Sequence, residues 1–224
     1  MNMENGISIG RGLCWTAAWF GFMLLYTALD VAVWRKISAP YGKYLNLITI
    51  IFCMAVFLLL LTGRNHLKMD FRANISLQGI FLSILCAVLF YCVLDKGLDP
   101  VFEKFFPASE ESYQQTLQSL YSAPVLSGIQ VCLLAPIIEE ILMRGFLLGG
   151  LSPRYGKAVA LLVSSFLFAL LHFNMVQTLS AFVCGIGLGM LYLYTGSIAC
   201  CIVAHAGYNL ISYIGMIAAF RDTL

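Results

Sequence analysis

Six polar side chains stand out by type and spacing. Glu139, Glu140 and Arg144 lie in the run APIIEEILMRGF, His172 ends the run FALLHF, and His205 and Asn209 lie in HAGYN. A glutamate beside a histidine can act as a general base toward water. A histidine and an asparagine amide can donate hydrogen bonds to a developing oxyanion. This set suffices to hydrolyse an amide without a covalent nucleophile. The carboxylate of Glu139 with the imidazoles of His172 and His205 is also the ligand set of a catalytic zinc site, where three protein ligands leave a position for water. The usual HExxH helix is absent, and zinc stays open at this point.

Helical spacing sorts these residues. Glu140 and Arg144 stand at i and i+4, so they can pair on one helix face. That ion pair also serves helix packing, with or without catalysis. Glu139 is turned about 100° from its neighbour at 3.6 residues per turn, so it faces elsewhere. His205 and Asn209 are again i and i+4 and present together. The chain has three histidines, and the third, His66, reads as a solvated histidine in a basic loop. Each polar residue alone is explicable as an interhelical hydrogen-bonder; the set is harder to explain so.

The elements that must position them belong in a bilayer. Of 224 residues, 61% are hydrophobic and 11% charged, against about 25% charged in soluble domains. The net charge of +2 gives no reason to expect a nucleic-acid partner. A crossing helix needs about 20 mostly apolar residues. Candidate spans fall at about 13–34, 44–62, 75–94, 125–149, 157–173, 176–195 and 197–219, the fifth short and the last two forming a tight hairpin. The fold expected is all-α, a polytopic membrane protein of about seven to eight transmembrane helices. An unpaired charge at a span centre costs about 2.5–3.5 kcal/mol, so the three charges of the fourth span must face protein or a water-filled cavity.

Other features carry less chemistry. Residues 1–95 read as N-terminal transmembrane helices, 96–124 as a polar or amphipathic connection and 125–220 as the catalytic helical core. The stretch from Leu13 to about Trp34 is longer than a signal h-region and is expected to be retained. The eight cysteines lie mostly in apolar runs without a CxxC pair, which predicts reduced, buried residues. Gly185, Gly187 and Gly189 read as small residues that let helices approach closely. Asp30 is expected to reach the interface, and Asn74-Ile75-Ser76 fits a glycosylation sequon.

The ordered pattern Glu-Glu-x-x-x-Arg, Phe-x-x-x-His, His-x-x-x-Asn resembles the CAAX protease and bacteriocin-processing family of intramembrane proteases, which includes the type II CAAX prenyl endopeptidases. The matching residues are Glu139-Glu140 with Arg144, Phe168 with His172, and His205 with Asn209. The resemblance covers about 125–215. It implies a membrane-embedded glutamic endopeptidase with Glu139 as base, His172 as its partner, and His205 with Asn209 at the oxyanion. Glu140 and Arg144 would support them, and no cofactor is implied, with zinc at Glu139, His172 and His205 as the variant reading. It also implies a peptide or lipid-modified or membrane protein as substrate and a lipid bilayer as partner. A bacterial cell membrane is the expected location. The rival readings are a non-catalytic immunity or scaffold protein of the same family and a small proton-relaying transporter.

Overall fold

The computed structural model describes residues 6–38, 41–65, 74–109, 117–118 and 120–221. Its principal elements are α1 (Ile9–Ala32), α2 (Tyr41–Asn65), α3 (Leu77–Phe105), α4 (Pro124–Tyr155), α5 (Lys157–Leu170), α6 (Met175–Thr195) and α7 (Ile198–Arg221). No strand occurs among the described residues. This is the expected all-α architecture, in the expected order. All but α5 are long and apolar enough to cross a membrane. With 14 residues, α5 rises about 21 Å at 1.5 Å per residue, short of a hydrocarbon core of about 30 Å.

Helix ends follow local rules. Ser8, Ser76 and Asn174 cap α1, α3 and α6, each accepting a main-chain N–H three residues on. Gly196 closes α6 in the left-handed region at φ 65°, a conformation open to glycine without a Cβ penalty. It turns the chain into the α6–α7 hairpin that the sequence predicts. Asn74, the sequon asparagine, is also left-handed and donates from Nδ2 to the Gly196 carbonyl at 3.2 Å.

The surface is apolar, as lipid requires. Leu25, Phe52, Leu59 and Phe81 are exposed on α1, α2 and α3. Buried side chains form two clusters. One joins α1, α2, α4 and α5 around Trp19, Phe57, Phe146 and Phe168. The other joins α3, α6 and α7 around Phe90, Leu94, Leu188 and Ala204. The most enclosed stretch is Ile141–Leu148 of α4, every residue of which is buried. Arg144 lies inside it.

Two differences from the sequence reading bear on function. The third span does not end near residue 94. It continues as a helix to Phe105 through a π-helical segment, Tyr91–Leu98. The charges that end the hydropathy run are met by partners on other helices. Asp95 accepts from the Tyr208 hydroxyl at 2.8 Å, and Asp99 accepts from Ser180. Asp30 does not depend on interfacial water alone: it pairs with Arg35 at 2.8 Å and accepts from Asn46 Nδ2 at 2.6 Å. All eight cysteines are free, with Cys184, Cys200 and Cys201 buried.

Candidate active site

The paired glutamates sit on a short α-helical stretch, Ala135–Glu140, between two π-helical segments, Gln130–Leu134 and Ile141–Leu148. Widened turns of this kind disturb the regular ladder and occur often at functional sites. Glu140 is fully enclosed by protein, whereas Glu139 keeps 19% of its side chain exposed. Arg144 Nη1 donates to Glu140 Oε1 at 2.9 Å, with side-chain exposures of 1% and 0%. Arg144 Nη2 donates to the Gly185 carbonyl at 3.1 Å, and the guanidinium lies 4.9 Å from the Phe168 ring centre. The pair is therefore matched in charge, hydrogen-bonded and covered by an aromatic face.

Glu140 has a second partner. His205 Nδ1 lies 2.8 Å from the same Oε1. A carboxylate accepts, so Nδ1 carries the proton. The opposite ring nitrogen, Nε2, lies 3.8 Å from Glu139 Oε2. One imidazole from α7 thus stands between the two glutamates of α4. Its near side is locked by Glu140, and its far side faces the carboxylate that is 19% exposed.

His172 arrives from the turn after α5. Its Nδ1 donates to the Phe168 carbonyl at 3.1 Å, leaving Nε2 free to accept. Both main-chain groups of His172 are hydrogen-bonded: its N–H reaches the Ala169 carbonyl, and Thr178 Oγ1 donates to its carbonyl at 2.5 Å. Irregular backbone at membrane depth is tolerated where protein satisfies it in this way. Phe168 joins the parts. Its ring meets His172 edge-on at 5.1 Å and His205 at 5.7 Å. The Glu139 carboxylate lies within electrostatic reach of both histidines, Glu140 and Arg144.

Asn209 shares the histidine's face of α7, but its amide is engaged with main chain: Nδ2 donates to the Val131 carbonyl at 2.9 Å. The structure therefore brings together Glu139, Glu140, Arg144, His205 and, through Phe168, His172. Asn209 is held against α4 in the π-helical segment that precedes them. His66 lies outside the described residues.

Several contributors carry little signal in the sequence. Phe168 is there only one position of a motif, whereas its ring lies against His172, His205 and Arg144. Gly185 does more than allow close approach, because its carbonyl receives Arg144. A Cβ there would sit 3.1 Å from Ser165 Cα. The Asp95–Tyr208 and Asp99–Ser180 pairs gave no signal, since their partners are distant in sequence.

Zinc does not fit these residues as they stand. Among the described residues no three His, Cys, Asp or Glu side chains come together as a metal-holding set. His205 Nδ1 is committed to Glu140, and its Nε2 is separated from Glu139 by more than a hydrogen bond.

Comparison with known proteins agrees with the motifs. A family model described as type II CAAX prenyl endopeptidase Rce1-like matches residues 121–211, which contain all six polar residues. YdiL of Bacillus subtilis (strain 168), whose name carries a membrane-peptidase assignment, is 30% identical over 183 residues, covering 80% of this chain and 74% of the relative. No solved structure matches the chain. With the three motifs in order on α4, α5 and α7, the match to the endopeptidase domain and the similarity to YdiL along most of both chains, this integral membrane protein belongs to the CAAX protease and bacteriocin-processing family of membrane proteases.

Proposed function

We propose that this protein is an intramembrane endopeptidase of a bacterial cell membrane that hydrolyses a peptide bond by glutamate-activated water. The observation that carries the reading is the Glu139–His205–Glu140 arrangement. A carboxylate that keeps 19% of its side chain exposed faces an imidazole whose other side is fixed by a buried, arginine-paired carboxylate. Glu139 takes a proton from water, and the oxygen attacks the scissile carbonyl carbon. His172, with Nε2 free to accept, assists in holding that water. The oxyanion that forms is met by donors from α7, His205 and Asn209. To donate from Nε2 as well as Nδ1, the His205 ring must carry both protons. The proton held by Glu139 then passes to the leaving nitrogen as the C–N bond breaks, giving a free acid and a free amine. Glu140 and Arg144 touch no reacting atom on this reading; they fix His205.

The substrate class that agrees with the family is a peptide or a membrane-associated protein segment reaching the site from the bilayer. The test is cleavage of a peptide library by purified protein in detergent. Wild type is compared with Glu139→Gln, with Cys14→Ser as an exposed control. General-base catalysis contributes about 10²–10⁴ in rate, and a loss of that size is expected for Glu139→Gln alone. A strong chelator should leave the wild-type rate unchanged. Undiminished cleavage by Glu139→Gln would remove the catalytic assignment and favour the non-catalytic reading of the same scaffold.

A further inference from the structure

We infer that Pro136 is a positioning residue: by lacking an N–H it releases the Val131 carbonyl, and that carbonyl sets the orientation of the Asn209 amide. The inference rests on the proposed hydrolytic role of this site and adds a residue to it.

The argument begins with hydrogen-bond register. Within α4, Ala135 N–H donates to the Gln130 carbonyl, five residues back. In α register that N–H would have served Val131. In π register the donor for Val131 would be residue 136, which is proline and has none. Neither in-register donor of the helix is therefore left for the Val131 oxygen. A carbonyl released inside a membrane bundle must be met by a neighbouring element, and Asn209 of α7 meets it from Nδ2 at 2.9 Å. A carbonyl only accepts, so the amide end facing α4 must be the nitrogen. An amide nitrogen carries two hydrogens, so one donor remains after Val131 is served.

Position makes this consequential. Pro136 is buried and precedes Glu139 by three residues, hence on a neighbouring helix face. Pro136 thus stands on the same helix as the proposed base and determines which end of the α7 amide faces α4. The π-helical segment is braced from its other side, where Gln130 Nε2 donates to Asn46 Oδ1 of α2 at 2.7 Å. The released carbonyl is accordingly held in place.

Pro136→Ala supplies the missing N–H. Val131 then has a main-chain donor, and Asn209 loses its fixed acceptor. Removal of one oxyanion donor costs about 10²–10³ in kcat. Pro136→Ala is expected to lower kcat by about tenfold or more, within that bound, with KM changed by less than about twofold. The decisive arm is a double-mutant cycle. If Pro136 acts through Asn209, then Pro136→Ala added to Asn209→Ala lowers the residual kcat no further. An undiminished kcat in Pro136→Ala, or an equal extra loss in both backgrounds, overturns the inference. Glu139→Gln run beside them separates the two layers: if it cleaves like wild type, the hydrolytic reading itself has failed. A measurement on wild type covers a variant that does not fold. With side-chain 15N-labelled asparagine, the Asn209 amide, identified by its loss in Asn209→Ala, should show slow exchange with solvent for one proton. Rapid exchange of both overturns the inference regardless of the variants.

Discussion

A carboxylate in the membrane interior is tolerated only when something else holds its charge, and Glu140 shows how far that goes here. Its Oε1 receives Arg144 Nη1 and His205 Nδ1, at 2.9 and 2.8 Å. The two donors are not equivalent. Arg144 neutralises the charge, whereas His205 is the group through which the charge reaches the second glutamate, Glu139. Glu140→Gln and Arg144→Ala should therefore fail differently. The glutamine keeps size and an oxygen that can still accept from Arg144 and His205, but it leaves the guanidinium without a counter-charge and His205 without its charged anchor, so turnover falls and some stability is lost with it. Arg144→Ala leaves a buried carboxylate without its counter-ion. Breaking a buried pair by removing one partner costs about 3–5 kcal/mol, a large share of the ~5–15 kcal/mol that holds a protein folded. The check is melting temperature in detergent alongside cleavage rate. Glu140→Gln, whose amide oxygen still accepts from Arg144, should lose activity with the smaller fall in melting temperature, and Arg144→Ala, which removes the donor outright, should melt further below wild type. A wild-type melting temperature in Arg144→Ala would mean that the arginine is not stabilising the glutamate.

At the scale of elements, the site depends on how closely α5 and α6 lie against α4. Gly185 sets that spacing. A Cβ at this position would stand 3.1 Å from Ser165 Cα and Cβ and 3.3 Å from the Phe168 ring. Main chain cannot swing aside as a side-chain tip can, so Gly185→Val must push α6 away from α5. Its carbonyl then leaves Arg144, and the Phe168 ring shifts between the two histidines. Overpacking of this kind costs about 1–3 kcal/mol, and activity should fall further than stability does. Gly21→Ala is the control, since nothing lies within 4 Å of a Cβ there. A helical glycine replaced by alanine gains about 0.5–1 kcal/mol, so Gly21→Ala should melt no lower than wild type. The same elements mark the limits of sequence reading. The Glu140–Arg144 pair, the α6–α7 turn and the close approach at Gly185 follow from spacing, because each is local or a matter of residue size. The π-helical segments do not, because hydropathy carries no record of which carbonyl an N–H selects. The continuation of α3 past residue 94 is equally hidden. Asp95 and Asp99 end the apolar run, and the groups that make them tolerable, Tyr208 and Ser180, lie 113 and 81 residues away. Tyr208 even stands within HAGYN, between the two residues that drew attention.

Across the whole molecule, the question is whether α1 and α2 only fill space beside the catalytic helices. Their sequence offers little beyond apolar spans, and the family match begins at residue 121. A polar network ties them in nonetheless. Asn46 Oδ1 accepts from Tyr26 of α1 at 2.8 Å and from Gln130 of α4 at 2.7 Å. Asn46 Nδ2 donates to Asp30 Oδ1 at 2.6 Å, and Arg35 holds the other oxygen of Asp30. One buried amide therefore links α1, α2 and the π-helical segment of α4 that carries Val131. Asn46→Leu keeps the branched shape and removes both roles. Tyr26 and Gln130 lose an acceptor, and Asp30 loses a donor. A buried polar group left unsatisfied costs about 1–3 kcal/mol, so the variant should melt clearly below wild type. A second effect separates this network from plain packing. Gln130, no longer held from the α2 side, lets the segment before Glu139 relax, and kcat should fall even at temperatures where the variant is fully folded. Phe52→Ala removes a large lipid-exposed side chain from the same helix and should change neither quantity much. If Asn46→Leu lowers stability but leaves kcat of the folded fraction untouched, α1 and α2 are a scaffold alone. A joint fall in both would make the N-terminal helices part of the device that holds Val131, Asn209 and Glu139 in register.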